Sequence, residues 1–70
     1  MTWIPTPQSS NIAGYEYSDD TQILTVEFNH GGRYNYYDVP HAVYEQMNAA
    51  GSKGQFLAQN IKNVYRYARL

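Results

Sequence analysis

Gly31-Gly32-Arg33-Tyr34-Asn35-Tyr36-Tyr37-Asp38-Val39-Pro40 holds a glycine turn, a Tyr-x-Tyr strand and a proline helix start in one short run. The chain before it must pair with that strand, and the chain after it must pack on it. Two turn geometries send the tyrosines to opposite faces, because side chains along a strand alternate with a period of two. With His30-Gly31-Gly32 as a three-residue loop and Gly32 at the left-handed bulge position, Phe28 pairs near Tyr34 and Val26 near Tyr36. Both tyrosines are then core. With His30-Gly31 as a two-residue turn, Tyr34 and Tyr36 share a face with Thr25 and Glu27 and form an exposed platform. The first geometry is favoured, since the second sets Arg33 and Asn35 beside Leu24 and Val26.

Upstream, Ile12 to Tyr17 and Ile23 to Phe28 alternate as strands do. The oxygen-bearing side chains of Ser18-Asp19-Asp20-Thr21 mark a turn between them. A loop from Asp19 to Gln22 sets Tyr17 opposite Leu24 and keeps Tyr15, Tyr17, Leu24, Val26 and Phe28 on one face. Residues 1–8 contain Pro5 and Pro7 and form an extended arm, which either lays Trp3 and Ile4 on the domain or offers Trp3 to a partner.

Downstream, Pro40 suits the first position of a helix, and Val43, Tyr44 and Met47 recur at helical spacing. Gly51 supplies a left-handed cap. Ser52 and Gln55 match a capping box, after which Phe56, Leu57, Asn60, Ile61 and Val64 mark a buried face. Gly54 in the first turn costs up to about 1 kcal/mol against alanine, so something approaches the backbone there. The tail Val64 to Leu70 alternates like an edge strand, with a helix end running into coil as the other reading.

These segments predict an α+β fold: a three-stranded antiparallel meander over Ile12–Tyr17, Ile23–Phe28 and Arg33–Tyr37, covered on one face by helices near Pro40–Ala49 and Ser52–Asn63. The domain spans residues 9–70. The expected core is Ile12, Tyr15, Tyr17, Leu24, Val26, Phe28, Tyr34, Tyr36, Val39, Val43, Met47, Phe56 and Ile61.

Composition narrows the function classes. At 70 residues the chain is near the size where folding buries only about 60% of the unfolded surface. Eight tyrosines, two phenylalanines and one tryptophan compensate with large buried areas. The absence of cysteine excludes disulfides and thiolate chemistry and suits a reducing compartment. No apolar run reaches the roughly 18 residues of a membrane span, and Met1 to Gln8 lacks a signal-peptide pattern, so the expected location is cytoplasmic. The net charge of −1 hides an asymmetry. Glu16, Asp19, Asp20, Glu27, Asp38 and Glu45 against Arg33 make the first 45 residues acidic; Lys53, Lys62, Arg66 and Arg69 stand unopposed after them.

The candidates for catalysis are few. His30 falls in a turn and His41 at a helix start, without acidic partners at metal-ligand spacing. Ser10, Ser52 and Lys53 could be imagined as nucleophile and base, but Ser52 is already accounted for as a cap. No enzyme, metal or cofactor is expected.

The ordered set Ser9-Ser10-x-Ile12, Tyr34-x-Tyr36, Val39-Pro40 with Val43-Tyr44, Ser52-x-Gly54-x-Phe56 and Ile61 with Tyr65-x-Tyr67 resembles the KTSC domain. This bacterial module is named for the C-terminus of some lysyl-tRNA synthetases and also occurs as a free-standing small protein. The likeness runs from Ser9 to Leu70 and implies one compact α+β domain, with RNA binding as the suggested role. Two departures are Ala58, where the family often carries Asn, and Arg66, where it often carries Pro.

Two readings follow. The first is a protein-interaction or accessory module acting through the start of the second helix and the tail; abundant tyrosine suits it. The alternative is binding of transfer RNA or single-stranded RNA by Lys53, Lys62, Tyr65, Arg66, Tyr67 and Arg69, with aromatic rings stacking bases and cations meeting phosphates. The overall acidity counts against a dedicated nucleic-acid binder. A homodimer through the sheet edge or the Trp3 arm is compatible with the residues.

Overall fold

The computed structural model describes residues 3–70. Its sheet has five strands in the order β1-β2-β3-β4-β5, all neighbours antiparallel. The strands are β1 (Ile4–Pro5), β2 (Ile12–Ser18), β3 (Ile23–Phe28), β4 (Arg33–Tyr36) and β5 (Tyr67–Arg69). Helices α1 (His41–Ala49) and α2 (Lys53–Asn60) stand between β4 and β5. The fold is therefore α+β as expected, but two short strands extend the three-stranded meander at its two edges. Part of the N-terminal arm is one of them: Ile4 pairs with Tyr15 and Pro5 with Gly14.

The register places Tyr17 opposite Leu24, as the loop length from Asp19 to Gln22 requires. Beyond the next turn, Tyr36 lies opposite Leu24 and Tyr34 opposite Val26. Both tyrosines thus share the helix-covered face, although the hairpin loop lies one residue earlier than expected. Phe28 N–H donates to the Gly32 carbonyl at 2.8 Å and Gly31 N–H to the Phe28 carbonyl at 2.9 Å. The loop is therefore Asn29-His30-Gly31. The left-handed residue is Gly31, at φ +102°, and not Gly32. The pairing shifts by two residues, which preserves the face.

Ile12 and Tyr15 cannot share a face of a regular strand, since three positions separate them. A bulge solves this: Ile12 pairs with Phe28 and Gly14 with Glu27, so Ala13 is the extra residue. Ile12, Tyr15, Leu24, Val26, Val39, Met47, Leu57 and Ile61 are fully buried. Phe56, expected as a principal core residue, only packs beside this cluster, as do Tyr34 and Val43. Leu57 takes the deep position instead, and Val64 is 64% exposed. The second helix ends at Asn60, before the stripe reaches Val64.

The helix termini are handled differently from one another. Pro40, expected as the first helical residue, is instead the N-cap of α1, at φ −65° and ψ 151°, and the helix begins at His41. The α1 C-cap is Ala50 in extended conformation, so Gly51 supplies no left-handed cap. Lys53 Nζ serves that end, donating to the Asn48 carbonyl at 3.0 Å and the Ala50 carbonyl at 2.7 Å. Ser52 caps α2 as expected, its Oγ accepting from Gln55 N–H at 3.3 Å.

Candidate binding groove at the C-terminal edge

β5 returns the chain to the sheet beside β4, with Tyr36 opposite Tyr67 and Tyr34 opposite Arg69. Paired residues of neighbouring strands share a face, so Tyr67 and Arg69 join Tyr34 and Tyr36 on the helix side. The helices do not reach this far. What remains is a groove of about 270 Å³ walled by Phe28, Tyr34 and Tyr36 on the sheet and His30 in the β3–β4 loop, with Tyr67 at its edge and Asn11, Lys62 and Asn63 around it. Among the described residues no acidic side chain lines it.

Its aromatic wall is continuous. The His30 ring lies parallel to Phe28 at 5.3 Å, and Tyr34 meets Phe28 edge-on at 5.3 Å. Tyr67 sits 5.9 Å from Tyr34 and 5.8 Å from Tyr36. It remains 57% exposed, the open end of the row. The Arg69 guanidinium lies 5.9 Å from the Tyr34 ring centroid, within cation–π reach.

The six residues expected to form one surface are not brought together. Lys62 and Tyr67 line the groove, and Arg69 stands beside it over the Tyr34 ring. Arg66 lies over the Tyr37 ring at 5.0 Å and its Nη2 is 3.8 Å from Asp38 Oδ2, on the side of the sheet that no helix covers. Tyr65 packs against the core. Lys53 is held by the α1 carbonyls. His30 and Phe28 were readable only as a turn residue and a core residue; their part in the groove depends on the loop being Asn29-His30-Gly31, which aligns His30 with Phe28.

A second cluster joins the two ends of the sequence motif. The Gly54 backbone passes so close to the β1–β2 connection that an added Cβ would lie 3.1 Å from Asn11 Cβ and 3.2 Å from Ser9 Oγ. This is the approach that a glycine in the first turn implied. Ser9 Oγ is itself occupied, accepting from Asn11 N–H and Ile12 N–H at 3.1 Å each. Ser9 thus orders the β1–β2 connection, Ser52 caps α2, and Gly54 lets the two approach closely. Ser10 is exposed beside them.

At the far end, His41 Nδ1 lies 2.6 Å from Asp19 Oδ1 and Nε2 lies 3.5 Å from Glu45 Oε1. The Glu45 partner, four residues along α1, was legible in the sequence and was missed. These groups are exposed at the surface, and among the described residues no group of three His, Cys, Asp or Glu is arranged to hold a metal ion. No helix among them is long and apolar enough to cross a membrane.

An antiparallel meander with both helices inserted before the last strand defines a small α+β domain of the sheet-and-helix kind. The family model of the KTSC domain matches residues 8–65, and the chain belongs to the KTSC family. A crystal structure of a KTSC domain protein from Yersinia pestis superposes with a TM-score of 0.92 at 29% identity, covering 99% of this chain and 96% of that one. A protein of Tsukamurella paurometabola is 36% identical over 63 residues, 90% of this chain and 94% of its own length. A lysine–tRNA ligase of Nostoc sp. is 42% identical over 64 residues, 91% of this chain. The chain spans only 11% of the length of that ligase.

Proposed function

We propose that this chain is a non-catalytic cytoplasmic accessory module that docks another protein through the groove at β5. The observation that supports it is the exposed Tyr67 ring at the end of an acid-free aromatic wall, flanked by Lys62 and Arg69. Large rings that are already ordered bind at low entropic cost, and cations beside them set orientation. The similarity to one part of a lysine–tRNA ligase and to a protein of nearly the same length fits a module used both within a larger chain and alone.

The second reading is RNA binding at the same groove, favoured by the same conjunction of a stacking ring and two cations. Its charge supply is thin: Arg66 lies on the opposite side of the sheet, Lys53 is engaged, and the net charge is −1.

One experiment separates the two. Labelled transfer RNA and mixed single-stranded RNA are titrated with the protein and with Lys62→Glu/Arg69→Glu at low and moderate salt, and both proteins are used to capture partners from a bacterial lysate. A protein retained by the parent and lost by the variant, without RNA binding, supports the module. RNA binding that falls steeply with salt and vanishes in the variant supports the second reading, since phosphate contacts release counterions.

A further inference from the structure

The ladder between β4 and β5 has a definite phase. Leu70 N–H donates to the Arg33 carbonyl and Tyr37 N–H to the Arg66 carbonyl, each at 2.8 Å. In an antiparallel pair the hydrogen-bonded positions alternate, so Arg66, Ala68 and Leu70 direct their backbone groups to β4. Tyr67 and Arg69 therefore turn their N–H and C=O groups away from the sheet. Among the described residues no strand lies beyond β5. The opposite edge is different in kind, because β1 contains Pro5, and Pro7 follows it. Proline blocks an edge by removing donors.

We propose that β5 accepts one further strand, an extended acidic segment of another protein. The proposal rests on the module reading above and gives its partner a chemistry. The added strand runs antiparallel and exchanges two hydrogen bonds with Arg69 and two with Tyr67. Its residues at those positions lie on the groove side. The one opposite Arg69 is acidic, because the Arg69 guanidinium stands there over Tyr34, and the adjoining groove is lined by Lys62 with no acid among its lining residues. The one opposite Tyr67, two residues later in the partner, is aromatic or a large aliphatic that extends the ring row. The motif is Glu-x-Phe or its equivalents. A second copy of this chain is a poorer occupant, since it would gather Arg66 and Arg69 of both copies along one short seam, where like charges destabilise pairing.

The test uses a fluorescein-labelled peptide of about eight residues, strand-prone, with Glu and Phe two apart. Saturable binding is expected. Methylating the Glu or the Phe amide nitrogen should weaken it about tenfold or more, whereas methylating the intervening amide should change it less than about twofold. Arg69→Glu should reverse the preference toward a Lys-x-Phe peptide. Indifference to which amide is methylated would overturn the edge proposal, as would no saturable binding up to about 1 mM peptide. So would a dimer in sedimentation that competes with the peptide, or single-stranded RNA binding at these residues in its place. If the peptide fails while the lysate partner is still lost in Lys62→Glu/Arg69→Glu, the edge proposal falls and the module reading stands.

Discussion

Trp3 and Gly14 are complementary in a way that can be measured one atom at a time. A Cβ on Gly14 would lie 2.5 Å from Trp3 Cζ2, so the indole occupies the space an alanine methyl would need. On its other flank the Arg33 guanidinium sits 5.0 Å from the ring, and Arg33 Nε donates to Glu27 Oε1 at 2.9 Å. Gly14→Ala should therefore cost about 1–3 kcal/mol and shift the single tryptophan's emission to the red as the ring is displaced. Trp3→Ala in the same background should recover much of that loss, a coupling that a double-mutant cycle in urea would measure. Independent, additive effects would mean the ring does not rest on Gly14. Gly31 is a different case, needed for its φ of +102° and not for space, since nothing lies within 4 Å of an added Cβ. Gly31→Ala should cost about 1–2 kcal/mol by backbone strain alone. Sequence spacing could indicate a glycine in this turn; only the hydrogen bonds of Phe28 select Gly31 over Gly32.

At the scale of elements, alternation located β2, β3 and β4, and capping chemistry located the start of α2. What alternation could not supply was depth. Phe56 and Leu57 are adjacent in sequence and both fit a helical stripe, but α2 turns Leu57 into the core and leaves Phe56 packed at its side. Leu57→Ala should cost about 2–5 kcal/mol, the usual price of a cavity at a fully buried leucine, and Phe56→Ala distinctly less. Chemical denaturation of both variants checks the order, and the reverse ranking would mean that the stripe faces the sheet through Phe56. The bulge at Ala13 was equally hidden, because it depends on pairing with Phe28 and not on any residue of β2. The candidate site was half legible for a related reason. Tail residues of the right chemistry could be counted, but the pleat of β5 divides Arg66 from Arg69, and a list of charges carries no faces. Lys53 was counted among them although it serves a helix end. Lys53→Ala should lower stability by about 1 kcal/mol while leaving binding at the groove unchanged, a split that thermal melts and anisotropy together would read.

The domain buries three of its tyrosines, Tyr15, Tyr17 and Tyr36, within its core, and this sets its response to alkali. Tyr15 is fully buried between the sheet and α1, stacked edge-on against Tyr44 at 6.2 Å, with its hydroxyl donating to Asn48 Oδ1 at 2.5 Å. Burial, reinforced by Tyr44, pushes its pKa up to about 12. Burial likewise raises Tyr17, whose hydroxyl donates to the Val39 carbonyl, with Asp19 adding to the effect. It also raises Tyr36, with Tyr34 and Tyr67 adding. In the unfolded chain these hydroxyls titrate near about pH 10. Below that pH they are protonated in both states, and the stabilisation is fully present. Above it the unfolded chain releases protons that the fold retains, so stability falls as pH rises from about 10 toward 12. The three groups lie on β2 and β4, with their contacts on α1, on Val39 and on β5, so the loss should be a single cooperative transition of the whole domain. Tyr15→Phe lacks the hydrogen bond to Asn48 and should melt lower at neutral pH, but its melting temperature should decline less steeply through the alkaline window than the parent's. Parallel declines in parent and variant would place the alkaline sensitivity outside Tyr15.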